Sequence, residues 1–173
     1  KDRHADYLNK VKVDYARYLK FFNEQVFVDV EDNKRLVYRF KVTYLKSSPF
    51  WEKAAWRDIE IMGQQRFVLF ADIIIDSMGW LNDHMHGFRF PDPEENNYQY
   101  AISPFEFFAP GWEDDPHPYF KSNQVKINQV NFDKFPRLHF EFDFGDGHGF
   151  QIDYKGTRPL KRKEMVSQFP RLS

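Results

Sequence analysis

Cysteine is absent from this 173-residue chain, and with it go thiol nucleophiles, disulfides, thiolate-ligated zinc and iron–sulfur clusters. Long apolar runs are missing too. The longest unbroken aliphatic stretch is Ile73 to Ile75, far short of a bilayer span. The opening residues KDRHADYLNK hold no apolar core of a signal peptide. Net charge is only −1, from 25 basic and 26 acidic residues, so the overall balance announces no polyanionic partner. Serine is sparse and no GxSxG elbow occurs, which leaves a nucleophilic triad without an anchor. These absences lead to the expectation of a soluble, cytoplasmic protein with no membrane partner.

Aromatic rings are what the chain has in excess: 19% of residues, with 20 Phe, 9 Tyr and 4 Trp. Burial of that many rings can offset the entropy of ordering the chain, and with alanine scarce the bias is toward sheet. Ring placement follows a period of two in several places. In VYRFKVTYL, Tyr38, Phe40, Val42 and Tyr44 share one face and Arg39, Lys41 and Thr43 the other. Alternation also predicts strands at Val26 to Val30, at WRDIEI from Trp56, at HMHGFRF from His84 and at QVKINQV. Helical spacing predicts an N-terminal helix over Tyr7 to Gln25, laid on the domain. A central helix follows from Phe67, with Phe70, Ile73, Ile74 and Ser77 on its stripe and Gly79 as its C′ stop. Asp92 to Asn97 reads as a polar loop, and Ser103 to Phe120 as a long, irregular, packed one.

The expected architecture is α+β, with about six mostly antiparallel strands and the central helix against one face. A single domain over 1–173 is expected, divided into a helical extension (1–25), a core (37–154) and a basic C-terminal segment (155–173).

The stretch FEFDFGDGHGFQIDY, Phe140 to Tyr154, invites several readings. Its DFG triplet lacks every other kinase motif. Gly145, Gly147 and Gly149 have the wrong spacing for a dinucleotide loop, and a strand follows where a helix N-terminus is needed. An EF-hand counted from Asp143 would need Glu at its twelfth position, where Tyr154 stands. Two amphipathic runs around Gly-Asp-Gly make a β-hairpin.

NDHMHGF is the better place to look for chemistry. On a strand, His84 and His86 would point to one side, as paired imidazoles do in several metal sites, with Asp83 beside them. Asp143, Asp146 and His148 are possible distant partners. The competing reading makes both histidines the polar end of a core face, hydrogen-bonded to backbone. Late in the chain, Lys155, Arg158, Lys161, Arg162 and Lys163 form a basic cluster. It is a solvated surface on one reading and a nucleic-acid contact on another.

The order of these segments resembles the plasmid pRiA open-reading-frame-three-like domain family. That family's pattern is a PxWR strand, a helix ending in Gly-Trp, an HLHxF strand and a late YDFGDxWxHxI hairpin. The resemblance runs from about Val37 to Ile152 and retains Gly79, Trp80, His84, His86, Phe88, Asp143, Phe144, Gly145 and Asp146. His148 stands where the family has Trp, and Phe150 where it has His. The resemblance implies a pseudo-barrel-like, strongly curved sheet with a helix against it. It also implies a setting linked to mobile elements, through the names of some members.

The expectation is therefore a non-enzymatic binding or accessory domain needing no cofactor. Its ligand residues would be Trp80, Asp83, His84, His86, Asp143, Asp146 and His148. The alternative is a divalent-metal protein or enzyme built on His84 and His86, with Asp83 or Asp146 completing the site.

Overall fold

The structure, a computed structural model, describes residues 3–30, 35–45, 55–92, 97–104 and 119–173. In chain order the elements are α1 (Arg3–Phe21), β1 (Leu36–Tyr44), β2 (Trp56–Met62), α2 (Phe67–Ser77), β3 (His86–Asp92), β4 (Asn97–Ser103), β5 (Phe120–Lys121), β6 (Arg137–Phe142), β7 (His148–Pro159) and β8 (Arg171–Leu172). The strands make one sheet in the order β5-β4-β3-β6-β7-β1-β2-β8. Every pairing is antiparallel except β4 with β5. The fold is α+β, as expected. The order begins at β5 and ends at β8, so the sheet is open and the barrel-like closure implied by the resemblance is not formed.

One face of the sheet meets α2 in a core of rings. Phe67 and Phe70 of the helix lie 4.9 and 5.8 Å from Phe88 of β3, and Phe70 lies 4.8 Å from Phe40 of β1. Phe140 of β6 closes on Phe88 at 4.8 Å. The alternation read from β1 is borne out for Phe40 and Val42, both fully buried. A bulge between Tyr38 and Phe40 in the β1–β7 pairing accompanies a change of pattern. Val37 is buried too, in a second cluster with Met62 and Phe169.

The opposite face carries that second cluster and an ion-pair network. Glu60 of β2 accepts hydrogen bonds from Arg158 Nε and Nη2 at 2.8 Å each, and from Arg171 at 2.7 and 3.0 Å. Glu164 is held by the same two arginines at 2.7 to 2.9 Å. The segment expected as a basic tail thus includes strand residues of the sheet, since β7 continues to Pro159 and β8 pairs with β2.

Three expectations are corrected. α1 ends at Phe21, and a π-helical turn (Phe22–Val26) carries the chain onward. Val26 to Val30 is therefore no strand, and Phe27 makes only an isolated bridge to Val130. Phe22 and Val26 are both buried within this turn. α1 is not laid on the domain along its length: its buried residues are Tyr18 and Phe21 alone.

QVKINQV forms a 3-10 turn (Ile127–Gln129) instead of a strand. The Gln129 side chain accepts from the Lys126 backbone N–H at 2.7 Å and stabilises the turn locally. Most of the two expected loops lies outside the described residues.

Candidate metal centre

The hairpin expected at Gly-Asp-Gly is present. β6 and β7 pair through Phe142 and His148, leaving Asp143 to Gly147 as the connecting loop. Asp143 sits at φ 52° and Gly147 at φ 65°, left-handed backbone that Asp tolerates and Gly adopts freely. Asp143 Oδ1 accepts from the backbone N–H groups of Gly145 (3.2 Å) and Asp146 (3.3 Å). That contact turns Asp143 Oδ2 outward, toward His84 Nε2 at 3.6 Å.

The loop brings a ligand set together. Single donor atoms of Asp143, Asp146 and His148 all lie within 4.8 Å of one another, the spacing a metal ion could bridge. His148 Nδ1 is 2.8 Å from Tyr44 Oη, which leaves Nε2 as the nitrogen for a ligand. Burial pushes the Tyr44 phenol upward, so it stays protonated near neutrality. Such a hydrogen bond on the remote nitrogen is how proteins orient a metal-binding imidazole.

Trp80 forms the wall. Its ring lies 4.3 Å from His148 and 6.0 Å from Phe142, the latter stacked at 16°. The end of α2 puts it there. Gly79, at φ 75°, follows the last helical residues, with its N–H bonded to the Asp76 carbonyl at 2.9 Å. The predicted C′ stop is borne out, and it swings Trp80 onto the hairpin. A second tie, the Asp143 N–H donating to the Met85 carbonyl at 2.9 Å, holds the chain before β3 against the loop. His84 and Asp83 therefore arrive beside it, 3.6 Å from each other.

The structure gathers Trp80, Asp83, His84, Asp143, Asp146 and His148 into one corner but separates His86. β3 starts at His86, and His84 lies at a bend before it, so the two imidazoles do not share a strand face. His84 is half exposed, whereas His86 is buried between Phe88 and Phe140. Among the described residues, the His84–His86–Asp83 trio does not form a cluster of ligand atoms; the Asp143–Asp146–His148 group does. Sequence reasoning missed Tyr44, whose place in an alternating strand gave no sign beyond core packing.

Arg158, expected in the basic cluster, is committed to Glu60 and Glu164. Lys155, Lys161, Arg162 and Lys163 are exposed. No described helix is long and apolar enough to cross a membrane.

His86 has its own consequence. Burial pushes its pKa down from 6.5 to about 4, so the folded protein holds it neutral. The unfolded chain takes up a proton first, between pH 6.5 and 4. Stability contributed by the neutral ring is thus complete above pH 6.5 and falls away as pH drops toward 4. The full shift corresponds to at most about 3 kcal/mol. His86→Phe is expected to flatten this part of a stability-versus-pH curve measured by urea unfolding. An unchanged slope would place the titration elsewhere.

A family model described as plasmid pRiA4b ORF-3-like protein matches residues 36–172. The crystal structure of a protein of unknown function, MM3350, from Methanosarcina mazei Go1 is similar, with a TM-score of 0.61 and 20% identity. That likeness covers 82% of this chain and 70% of the other and concerns the fold. No curated protein matches the chain.

Proposed function

The chain belongs to the plasmid pRiA4b ORF-3-like proteins, and for this member we propose a metal-binding domain whose β6–β7 hairpin holds a divalent first-row ion. One observation carries the reading: the convergence of Asp143, Asp146 and His148 within 4.8 Å. Two carboxylates and an imidazole suit zinc, manganese, iron or cobalt. Calcium prefers an all-oxygen shell, and Cu(I) prefers sulfur. His84 supplies a further nitrogen beside Asp143, and Tyr44 orients His148. Trp80 shields one side. Because the family pattern has Trp where this chain has His148, the reading applies to this chain and not to every member of the family.

Calorimetric titration with Co²⁺ or Zn²⁺ tests it. One ion per chain is expected. His148→Ala and Asp146→Asn should each weaken binding by 10-fold or more, and Tyr44→Phe by about 10-fold as a loss of the orienting contact. His86→Ala should leave affinity unchanged. Equal affinity in the wild type and the His148 and Asp146 variants would remove the hairpin from the site.

A further inference from the structure

The sheet face turned away from α2 carries one row of side chains straight across its middle strands. Trp56 of β2 stands opposite Thr43 of β1, and Thr43 opposite Gln151 of β7. Gln151 in turn faces His139 of β6, and His139 faces Arg89 of β3. At the usual strand spacing this row is about 19 Å long. The C-terminal segment covers the far end of the face, where Phe169 packs on Val37 and Met62. Thr43, Gln151 and His139 stay half-exposed, and Trp56 is 51% exposed. Gly149, beside the row, has open space where a side chain would stand.

Charge on this face departs from that of the whole chain, which is −1. Arg39, Lys41, Arg89, Arg137 and Lys155 outnumber Asp58, Glu141 and Asp153 here. Arg89 pairs with Glu141 at 2.7 Å and Arg137 with Asp153 at 2.8 Å. Among the described residues of the face, that leaves Arg39, Lys41 and Lys155 in surplus over Asp58. Lys41 faces Asp58 and Asp153 on the neighbouring strands, yet its Nζ lies over the Trp56 ring, 4.9 Å from the centroid. Arg39 is exposed and lends one N–H to the Lys155 carbonyl at 3.0 Å, which sets these two cations side by side. The alternation of β1 puts its own rings on the core side, so the ring on the charged side comes from β2.

We infer that this face binds single-stranded nucleic acid, with a base stacked on Trp56, phosphates on Lys41, Arg39 and Lys155, and base edges against Thr43 and Gln151. Such a strand is a polyanion with flat rings, and it matches both the surplus of cations and the exposed indole. Lys41 and Arg39, two residues apart on β1, offer cations about 7 Å from each other along the strand. An acidic polypeptide would use the cations and leave the indole in water. A neutral sugar would use the indole and leave the cations unmatched, and a duplex keeps its bases inside its own stack. The inference is independent of the hairpin ion, since none of these side chains belongs to its ligand set.

The experiment is fluorescence anisotropy of a labelled oligo-dT of about 12 nucleotides, titrated with the full chain in chelator. Saturable binding is expected, weakening as salt rises from about 50 to 200 mM. Trp56→Ala should weaken it about 10-fold. Lys41→Ala should lower affinity and reduce the slope of log affinity against log salt by about 0.7. Gln151→Glu adds a like charge on the open face without touching the core. It should weaken binding about 10-fold, and it covers the case in which the Trp56 variant folds poorly. Asp143→Asn should bind the oligonucleotide as the wild type does, so failure of the hairpin reading and failure of this one remain distinguishable. Absence of binding at the lowest salt overturns the inference. So does equal or tighter binding of duplex DNA or polyglutamate, or wild-type affinity in both the Trp56 and the Gln151 variants. Loss of binding in Lys161→Ala/Lys163→Ala with wild-type affinity in Lys41→Ala would move the contact to the C-terminal segment and overturn it as well.

Discussion

Phe88→Ala is expected to lower stability by about 4 kcal/mol and the melting midpoint by roughly 10 °C. Phe88 is fully buried and joins its own strand to two other parts of the core. Its ring lies 4.9 Å from Phe67 and 5.8 Å from Phe70 on α2, and 4.8 Å from Phe140 on the neighbouring strand β6. Removing it empties the junction between helix and sheet, and the flanking rings are too large and too constrained to close the gap. Phe88→Leu keeps most of the volume and should cost only about 1 kcal/mol. Chemical unfolding of the pair checks this. Similar losses for Ala and Leu would mean that ring shape, not volume, governs the site.

Glu60→Ala carries the second large effect, a loss of about 3 kcal/mol. Glu60 is buried among groups it alone pairs with from β2: its carboxylate receives Arg158 in a two-pronged contact and Arg171 in another. Deleting it leaves Glu164 as the one carboxylate that pairs with the two guanidiniums among the described residues. β8, just two residues long, depends on this network and on its pairing with Ile59 and Glu60. The Arg158 hydrogen bond pulls the Glu60 carboxyl below its ordinary 4.5, and the same contact holds Glu164 down to about 2.

The sign of the acid response follows from those depressed values. The unfolded chain binds these protons at higher pH than the folded one does. The network's contribution is therefore present above pH 4.5 and is lost as pH falls toward 2. Denaturant unfolding at pH 7 and pH 3 should show the gap between wild type and Glu60→Ala narrowing at the lower pH. A gap of the same size at both would show that packing, not charge, holds the segment.

Much of the fold was legible because its elements have strong periods with a buried side. β1, β2, α2 and the β6–β7 hairpin each carry rings or branched residues on one face, and each forms where that pattern places it. Two of the failures share a cause. Val26 to Val30 and QVKINQV are short alternations whose conformation is set by distant partners, among them the Val28 N–H bonded to the Gln129 carbonyl and the Phe27–Val130 bridge. Two-residue strands such as β5 and β8 are too short to carry any pattern at all.

The candidate site was half legible. Its carboxylates and His148 stand out in the hairpin sequence, and Gly79 announces the turn that delivers Trp80. The parity argument for His84 and His86 failed on a boundary: the strand begins at His86, so the count of two had no strand to run along. Tyr44 became visible only once the β1–β7 register, in which Tyr44 pairs with Phe150, set it beside His148.

The measurement that bears most directly on the account is anomalous diffraction from crystals grown with zinc. The account predicts one peak at the β6–β7 loop, about 2.0 to 2.2 Å from carboxylate oxygens of Asp143 and Asp146 and from a nitrogen of His148. A zinc ion bound elsewhere, or an empty loop at saturating zinc, would contradict it.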